Sequence, residues 1–246
     1  LAGEQWVLDL FKSGGDIYCE TGTRMFGQEV KKHSPLRQRA KVAVLACGYQ
    51  GGVGALKAMG GEKLGLGEDE MASIVDAWRK ANPRIAQMWW DVNRAALEAI
   101  KNGTSQMVGR IKVYQKLGAL VIALPSGREL IYPSPRVGEN RFGGESITFM
   151  GLGLNRKWGR IETYGGKLVE NIVQATARDV LAHSMATLEA AGYPTVMHVH
   201  DEVITEVPYG HGSVEELCAL MSQGPKWSKG LPLAAEGFES TYYKKG

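Results

Sequence analysis

The sequence predicts an α+β fold, with helices over residues 1–105 and an antiparallel sheet with one long helix over residues 106–246. Three observations carry this. Helix start and stop signals follow one another as far as Asn102–Gly103. From about Ser105, β-branched and aromatic residues alternate between Gly and Pro breaks, which is the mark of short strands and hairpins. Beyond those strands, "GGKLVENIVQATARDVLAHSMATLEAAGYP" returns to a helical pattern that Gly192 and Pro194 stop.

The elements follow in order. "LAGEQWVLDLFKSGG" is amphipathic. In "HSPLRQRAKVAVLACGYQGG", Ser34 can cap a helix and Pro35 suits its first position; the helix is expected to run to Gly51–Gly52. "GEDEMASIVDAWRKAN" places acids in a first turn, where the helix dipole favours them. Asn82–Pro83 opens a further helix that Asn102–Gly103 closes. Trp78, Trp89 and Trp90 read as core residues. "TVMHVHDEVITEVP" reads as two short strands meeting at a tight turn. The composition shift near residue 105 is the one candidate subdomain boundary, and no internal repeat or low-complexity tract is present.

Composition narrows the function classes. An apolar content of 44% is that of a packed chain, not a disordered one. No apolar run of about 18 residues occurs, so no transmembrane helix is expected. Cys19, Cys47 and Cys218 are odd in number and widely spaced, against a disulfide framework or a zinc cluster and for a reducing compartment. A net charge of +3 does not by itself imply nucleic acid. The local cluster Lys31, Lys32, Arg37, Arg39 and Lys41 is compatible with phosphate binding or with a solvated face.

Three constellations can carry chemistry. Arg37, Lys41, Leu45 and Tyr49 are spaced by four, so they form a slowly drifting stripe on the helix after Pro35. Two cations one turn apart near a helix N-terminus suit a triphosphate, and Leu45 and Tyr49 can pack on a base or sugar; a plain amphipathic helix has the same spacing. Asp201 and Glu202 lie between apolar strands, where carboxylates need cations or water. Such hard oxygen ligands suit Mg²⁺. A polar turn, or a zinc or iron site on His198, His200, Asp201 and Glu202, are the competing readings. Gln174 and Arg178, one turn apart on the long helix, can hydrogen-bond base edges or phosphates, or lie on an ordinary surface.

Taken together and in order, these stretches resemble the family A DNA polymerases, the DNA polymerase I kind in a phage-type form. "RQRAKVAVLACGYQGG" is similar to the family's fingers helix, R-x-x-x-K-x-x-x-(F/Y)-x-x-x-Y-G, with Arg37, Lys41 and Tyr49 at its arginine, lysine and tyrosine. "DIYCETGTRMFG", "LPSGRELIYP", "ENIVQATARDVL" and "HVHDEV" resemble further family segments, and extra residues near 104–124 and 137–160 point to a phage-type member. The resemblance implies a helical fingers subdomain over 1–105 and a partial palm over 106–246 of a right-hand fold. It implies a DNA-directed DNA polymerase, a nucleotidyltransferase that joins dNTPs to the primer 3′-hydroxyl of primer-template DNA with two Mg²⁺ ions in the cytoplasm of a bacterial or phage-infected cell. Arg37 and Lys41 would then hold the triphosphate, with Tyr18 nearby, and Tyr49 would sit at the base of the insertion site. Gln174, Arg178 and His200 would contact DNA. Asp201 would bind the metals and Glu202 would support it.

Departures from the family pattern qualify this. Leu45 replaces an aromatic residue, Gln50 stands where glycine is usual, and Tyr18 stands where histidine is common. The family's other metal-binding aspartate, in a D-(Y/F)-S-x-I-E strand, has no counterpart string in the chain. The expectation is therefore a C-terminal polymerase segment with little activity alone, completed by an upstream segment or second chain carrying that aspartate and the thumb. An exposed sheet edge where that strand would pair is an expected association site. The alternative is a non-catalytic nucleic-acid-binding or accessory protein on the same fold.

Overall fold

The computed structural model describes every residue except Arg141, Phe142, Leu154, Lys245 and Gly246; the first three of these belong to the 137–160 stretch. The chain folds as two compact units, Leu1–Val173 and Gln174–Gly246. The change from helix to strand falls between Asn102 and Gln106, where the composition shifts; the division into units comes later, within a helix.

The first unit begins with helices α1 (Gln5–Lys12), α2 (Ile17–Phe26), α3 (Pro35–Cys47), α4 (Val53–Ala58), α5 (Glu68–Ala81) and α6 (Pro83–Asn102). Most of their ends follow the sequence signals. The Asp16 side chain caps α2 and the Ser34 side chain caps α3, which has Pro35 in its first turn. Glu68, Asp69 and Glu70 open α5, and Gly103, at φ 65°, closes α6 in the left-handed conformation that glycine adopts without penalty. Asn82 separates α5 from α6, but its amide donates back to the Trp78 carbonyl instead of capping forward.

Helices α2, α3 and α5 pack on one another around Ala40, Ala43, Cys47, Met71 and Trp78. Trp78 and Trp89 stack with ring centroids 5.8 Å apart and planes 7° from parallel. Trp90 departs from its expected place in the core, being 57% exposed. One residue is about 100° of helix rotation, so the turn that buries Trp89 carries its neighbour toward solvent.

Strands β1 (Gln106–Val108), β2 (Ile111–Lys116), β3 (Ala119–Ala123) and β4 (Glu129–Pro133) form an antiparallel meander in that order. Helix α6 packs on β2, and Ile111, Val113, Leu120 and Ile122 are buried. A second antiparallel sheet, β5 (Arg136–Glu139), β6 (Glu145–Leu152) and β7 (Trp158–Thr163), meets the first where the Phe149 and Tyr132 rings stand perpendicular with centroids 5.0 Å apart.

Helix α7 (Gly165–Ala190) begins in the first unit and continues in the second. Its first turns bury Leu168, Val169 and Ile172. In the second unit, Leu181, Ser184 and Leu188 are buried and the Ser184 hydroxyl donates to the Met221 carbonyl of α8 (Val214–Met221) at 3.0 Å. Tyr193 is buried and donates to Glu216 at 2.8 Å. The hairpin of β8 (Thr195–Val199) and β9 (Glu202–Thr205) completes the unit, with a register irregularity between Thr195 and Met197. Among the described residues, no helix is long and apolar enough to cross a membrane. The three cysteines are free.

Candidate functional site

In the first unit the candidate residues gather between α2 and α3. Asp16 uses one carboxylate oxygen to accept from the backbone of Tyr18 (2.9 Å) and Cys19 (3.0 Å), which caps α2. Its other oxygen accepts from Arg37 Nη2 at 2.7 Å and Nε at 3.1 Å. The Arg37 guanidinium lies over the Tyr18 ring, 5.2 Å from its centroid, and the Lys41 ammonium approaches the same ring at 5.7 Å. Tyr18, Arg37 and Lys41 are thus brought together. Asp16 is the member that sequence reasoning missed, although an aspartate just ahead of an amphipathic stretch is a recognisable cap signal.

The electrostatics follow from this arrangement. Partial burial works against ionisation of Asp16, but the Arg37 hydrogen bond and the cap bonds outweigh it, leaving the carboxyl below its ordinary range. The same hydrogen bond raises Arg37. Asp16 takes Arg37 Nε and Nη2, and the Cys19 side chain is a further hydrogen-bond partner of the guanidinium. Arg39 is tied to Glu70 at 2.5 Å, so it does not add to a phosphate grip. Lys41 has no ion pair among the described residues and is the uncompensated cation of the pair.

Because the Asp16 carboxyl is lowered by folding, its stabilisation is complete above about pH 4, the unfolded value, and fades as pH falls through the lower folded value. Asp16→Ala is expected to cost about 1 kcal/mol at neutral pH, with the gap from wild type closing in strong acid. Urea unfolding of both chains across that range measures it, and a gap independent of pH would contradict the assignment.

Helix α3 ends earlier than the sequence implies, at Cys47, not at Gly51–Gly52. The Trp89 indole N–H takes the Gly48 carbonyl at 3.1 Å, and Gln50 turns the chain at φ 67°. Tyr49 therefore lies in a turn beyond the helix and not on the stripe of Arg37, Lys41 and Leu45. Leu45 stays on that helix, 48% exposed. Tyr49 is half-buried, and burial, followed by the negative charge of Glu170, pushes its phenol up.

The residue after Tyr49 has two tasks. Gln50 holds a left-handed backbone that glycine adopts at no cost and other residues adopt at about 1 kcal/mol. Its side-chain oxygen accepts from the Gly166 N–H at 2.8 Å, satisfying an otherwise unpaired group in the first turn of α7. The approach is close: a Cβ on Gly166 would lie 2.4 Å from the Tyr49 carbonyl oxygen, and one on Gly165 2.0 Å from the Trp89 carbonyl oxygen. These two glycines let α7 begin against Tyr49 and α6.

In the second unit the candidates gather at the β8–β9 hairpin. His200 and Asp201 form a two-residue loop between the paired Val199 and Glu202. His200 has φ 52°, a left-handed position that such loops usually give to glycine. Asp201 is exposed, with no side-chain hydrogen bond or ion pair among the described residues. Glu202 is half-buried and accepts from the Tyr243 hydroxyl at 3.4 Å. Arg178, from α7, places Nη1 at 3.4 Å from His198 Nδ1 and Nη2 at 3.3 Å from His198 Nε2. The two ring nitrogens point to different sides of the imidazole, so two such contacts describe a guanidinium lying flat on the ring. Gln174 stands exposed one turn before Arg178. Among the described residues no three His, Cys, Asp or Glu side chains are grouped to hold a metal ion. His198 packs on Arg178 instead of joining a zinc or iron site.

No protein-family model matches the chain. Over 251 aligned residues it is 49% identical to the DNA polymerase of Bacillus phage SP02, an alignment that takes in 100% of this chain and 39% of that protein. What it is similar to is one part of that phage DNA polymerase. The DNA polymerase of Mycobacterium phage D29 is 24% identical over 227 residues, covering 91% of this chain and 29% of that one. The chain therefore spans less than half the length of the curated relatives it matches. Among solved structures, the POL domain of Pol1 from M. smegmatis, in complex with DNA primer-template and dNTP, shares the fold at a TM-score of 0.58. That match is 19% identical and covers 95% of this chain and 34% of the other.

Proposed function

We propose that this chain carries the nucleotide-binding part and one acidic turn of a template-directed DNA polymerase, joining dNTPs to a primer 3′-hydroxyl on primer-template DNA. The observation that carries the reading is the cluster of Arg37 and Lys41 over Tyr18, with Lys41 in no ion pair among the described residues. Cations so placed on the first turns of α3 add to the helix dipole in attracting a triphosphate. Leu45 and Tyr49 flank the sugar and base end, with Tyr49 held by the Gln50–Gly166 bond.

Asp201 and Glu202 fit a divalent cation in donor type, and Asp201 fits in having no ion pair among the described residues. Mg²⁺, held there, would lower the charge barrier on the transferring phosphate. Two adjacent carboxylates are fewer than a two-ion site uses, so we assign the remaining ligand, with the thumb, to an upstream segment or second chain. Gln174, Arg178 and His200 are assigned to the DNA. Arg178 reaches it from its stack on His198, whose ring fixes the guanidinium plane. The setting is the cytoplasm of a bacterial or phage-infected cell.

Lys41→Ala tests the reading. With the upstream half supplied, it is expected to raise the dNTP KM in primer extension about tenfold, the loss of one charge-assisted contact, and to leave the melting curve unchanged. An unchanged KM would remove Lys41 from the site. DNA binding without extension, whatever segment is added, would favour the accessory-protein reading.

A further inference from the structure

The β5–β6–β7 sheet has a second face that the polymerase reading leaves unused. Its inward residues, Ile147, Gly151 and Thr163, are buried. Its outward residues are set by register: Arg136 opposes Thr148, Thr148 opposes Glu162, Met150 opposes Arg160, and Leu152 opposes Trp158. Trp158 is 65% exposed and Leu152 63% exposed, side by side at the end of the β6–β7 hairpin. Arg156 and Lys157 immediately precede Trp158, and neither has an ion pair among the described residues. Arg160 is held on the same face by bonds to the Ser134 carbonyl and the Thr148 hydroxyl. On this face Arg136 and Arg160 meet one carboxylate, Glu162, among the described residues, and Arg156 and Lys157 add two cations in the adjoining turn.

We propose that this hairpin is a binding site for single-stranded DNA, with Trp158 stacking on a base and the surrounding cations following the phosphates. Trp158 beside exposed Leu152 makes a small apolar patch with a flat ring that a base can stack on, and a base offers its face only where it is unpaired. The excess of cations selects a polyanion over a neutral protein surface. The inference rests on the reading that the chain handles DNA and adds a contact outside the nucleotide and acidic-turn residues.

The test is anisotropy of a fluorescein-labelled oligothymidylate about 15 nucleotides long, titrated with the full 246-residue chain. Trp158→Ala is expected to weaken binding about tenfold. Arg156→Glu with Lys157→Glu is expected to flatten the slope of log affinity against log salt by about 0.7 for each phosphate that is no longer neutralised. Leu117→Ala, at the exposed tip of the β2–β3 hairpin, is expected to bind as wild type does. Wild-type affinity in both hairpin variants overturns the site and leaves the polymerase reading intact, because Lys41→Ala probes that by nucleotide KM. Failure of the wild-type chain to bind the oligonucleotide overturns it too, as does equal binding of polyglutamate.

Discussion

Replacing Asp201 with alanine is expected to lower primer extension by on the order of 10³-fold when the upstream half is supplied, with no loss of stability. The magnitude follows from the several kcal/mol of charge stabilisation that a catalytic metal gives, each 1.36 kcal/mol being tenfold. The stability half of the prediction follows from position. Asp201 is exposed in a two-residue loop with no side-chain partner among the described residues, so truncation there breaks no contact of the fold. Single-turnover extension and a thermal melt on the same sample measure both. Extension that survives the substitution would remove Asp201 from the chemistry. Full extension by the wild-type chain with nothing added would instead show that no outside carboxylate is needed.

Trp89→Ala should give the largest loss of stability in the first unit, about 3–5 kcal/mol, or on the order of 10 °C in Tm. Trp89 is buried, stacks on Trp78 and donates to the Gly48 carbonyl. Its loss opens a cavity and releases the end of α3 next to Tyr49. Trp89→Phe separates the two effects. It keeps a ring in the core but leaves the Gly48 carbonyl unpaired, for about 1–3 kcal/mol. Chemical denaturation of the three proteins gives the ranking, and an alanine variant as stable as the phenylalanine one would contradict it.

Local signals are legible where one residue fixes one backbone conformation. Ser34–Pro35 starts a helix, Gly103 stops one, and alternation after Ser105 gives strands. What escapes is set by contacts distant in sequence. The early end of α3 depends on an indole 41 residues away and on a left-handed Gln50, neither of which periodicity registers. Trp90 lies outside the core because a pair of adjacent tryptophans cannot both face one side of a helix. The division into units inside α7 is invisible to composition, since the helix pattern is continuous there.

The site is legible with similar unevenness. Tyr18, Arg37 and Lys41 meet as ordered motifs suggest, yet Asp16, which orients Arg37, is hidden in its role as a cap. His198 has the sequence marks of a metal ligand and is instead a platform for Arg178, a role set by tertiary packing and not by its alternation with His200.

The start of α7 also has an evolutionary reading. At Gly165 and Gly166 the obstacles to a side chain are the carbonyl oxygens of Trp89 and Tyr49, and a backbone cannot be trimmed by mutation. Neither position can drift to alanine unless α6 or the Tyr49 turn moves first. Gln50, whose amide reaches Gly166, is free to change only in step with them. Descendants of this chain should therefore inherit positions 50, 165 and 166 as a block, even where the flanking sequence has been rewritten.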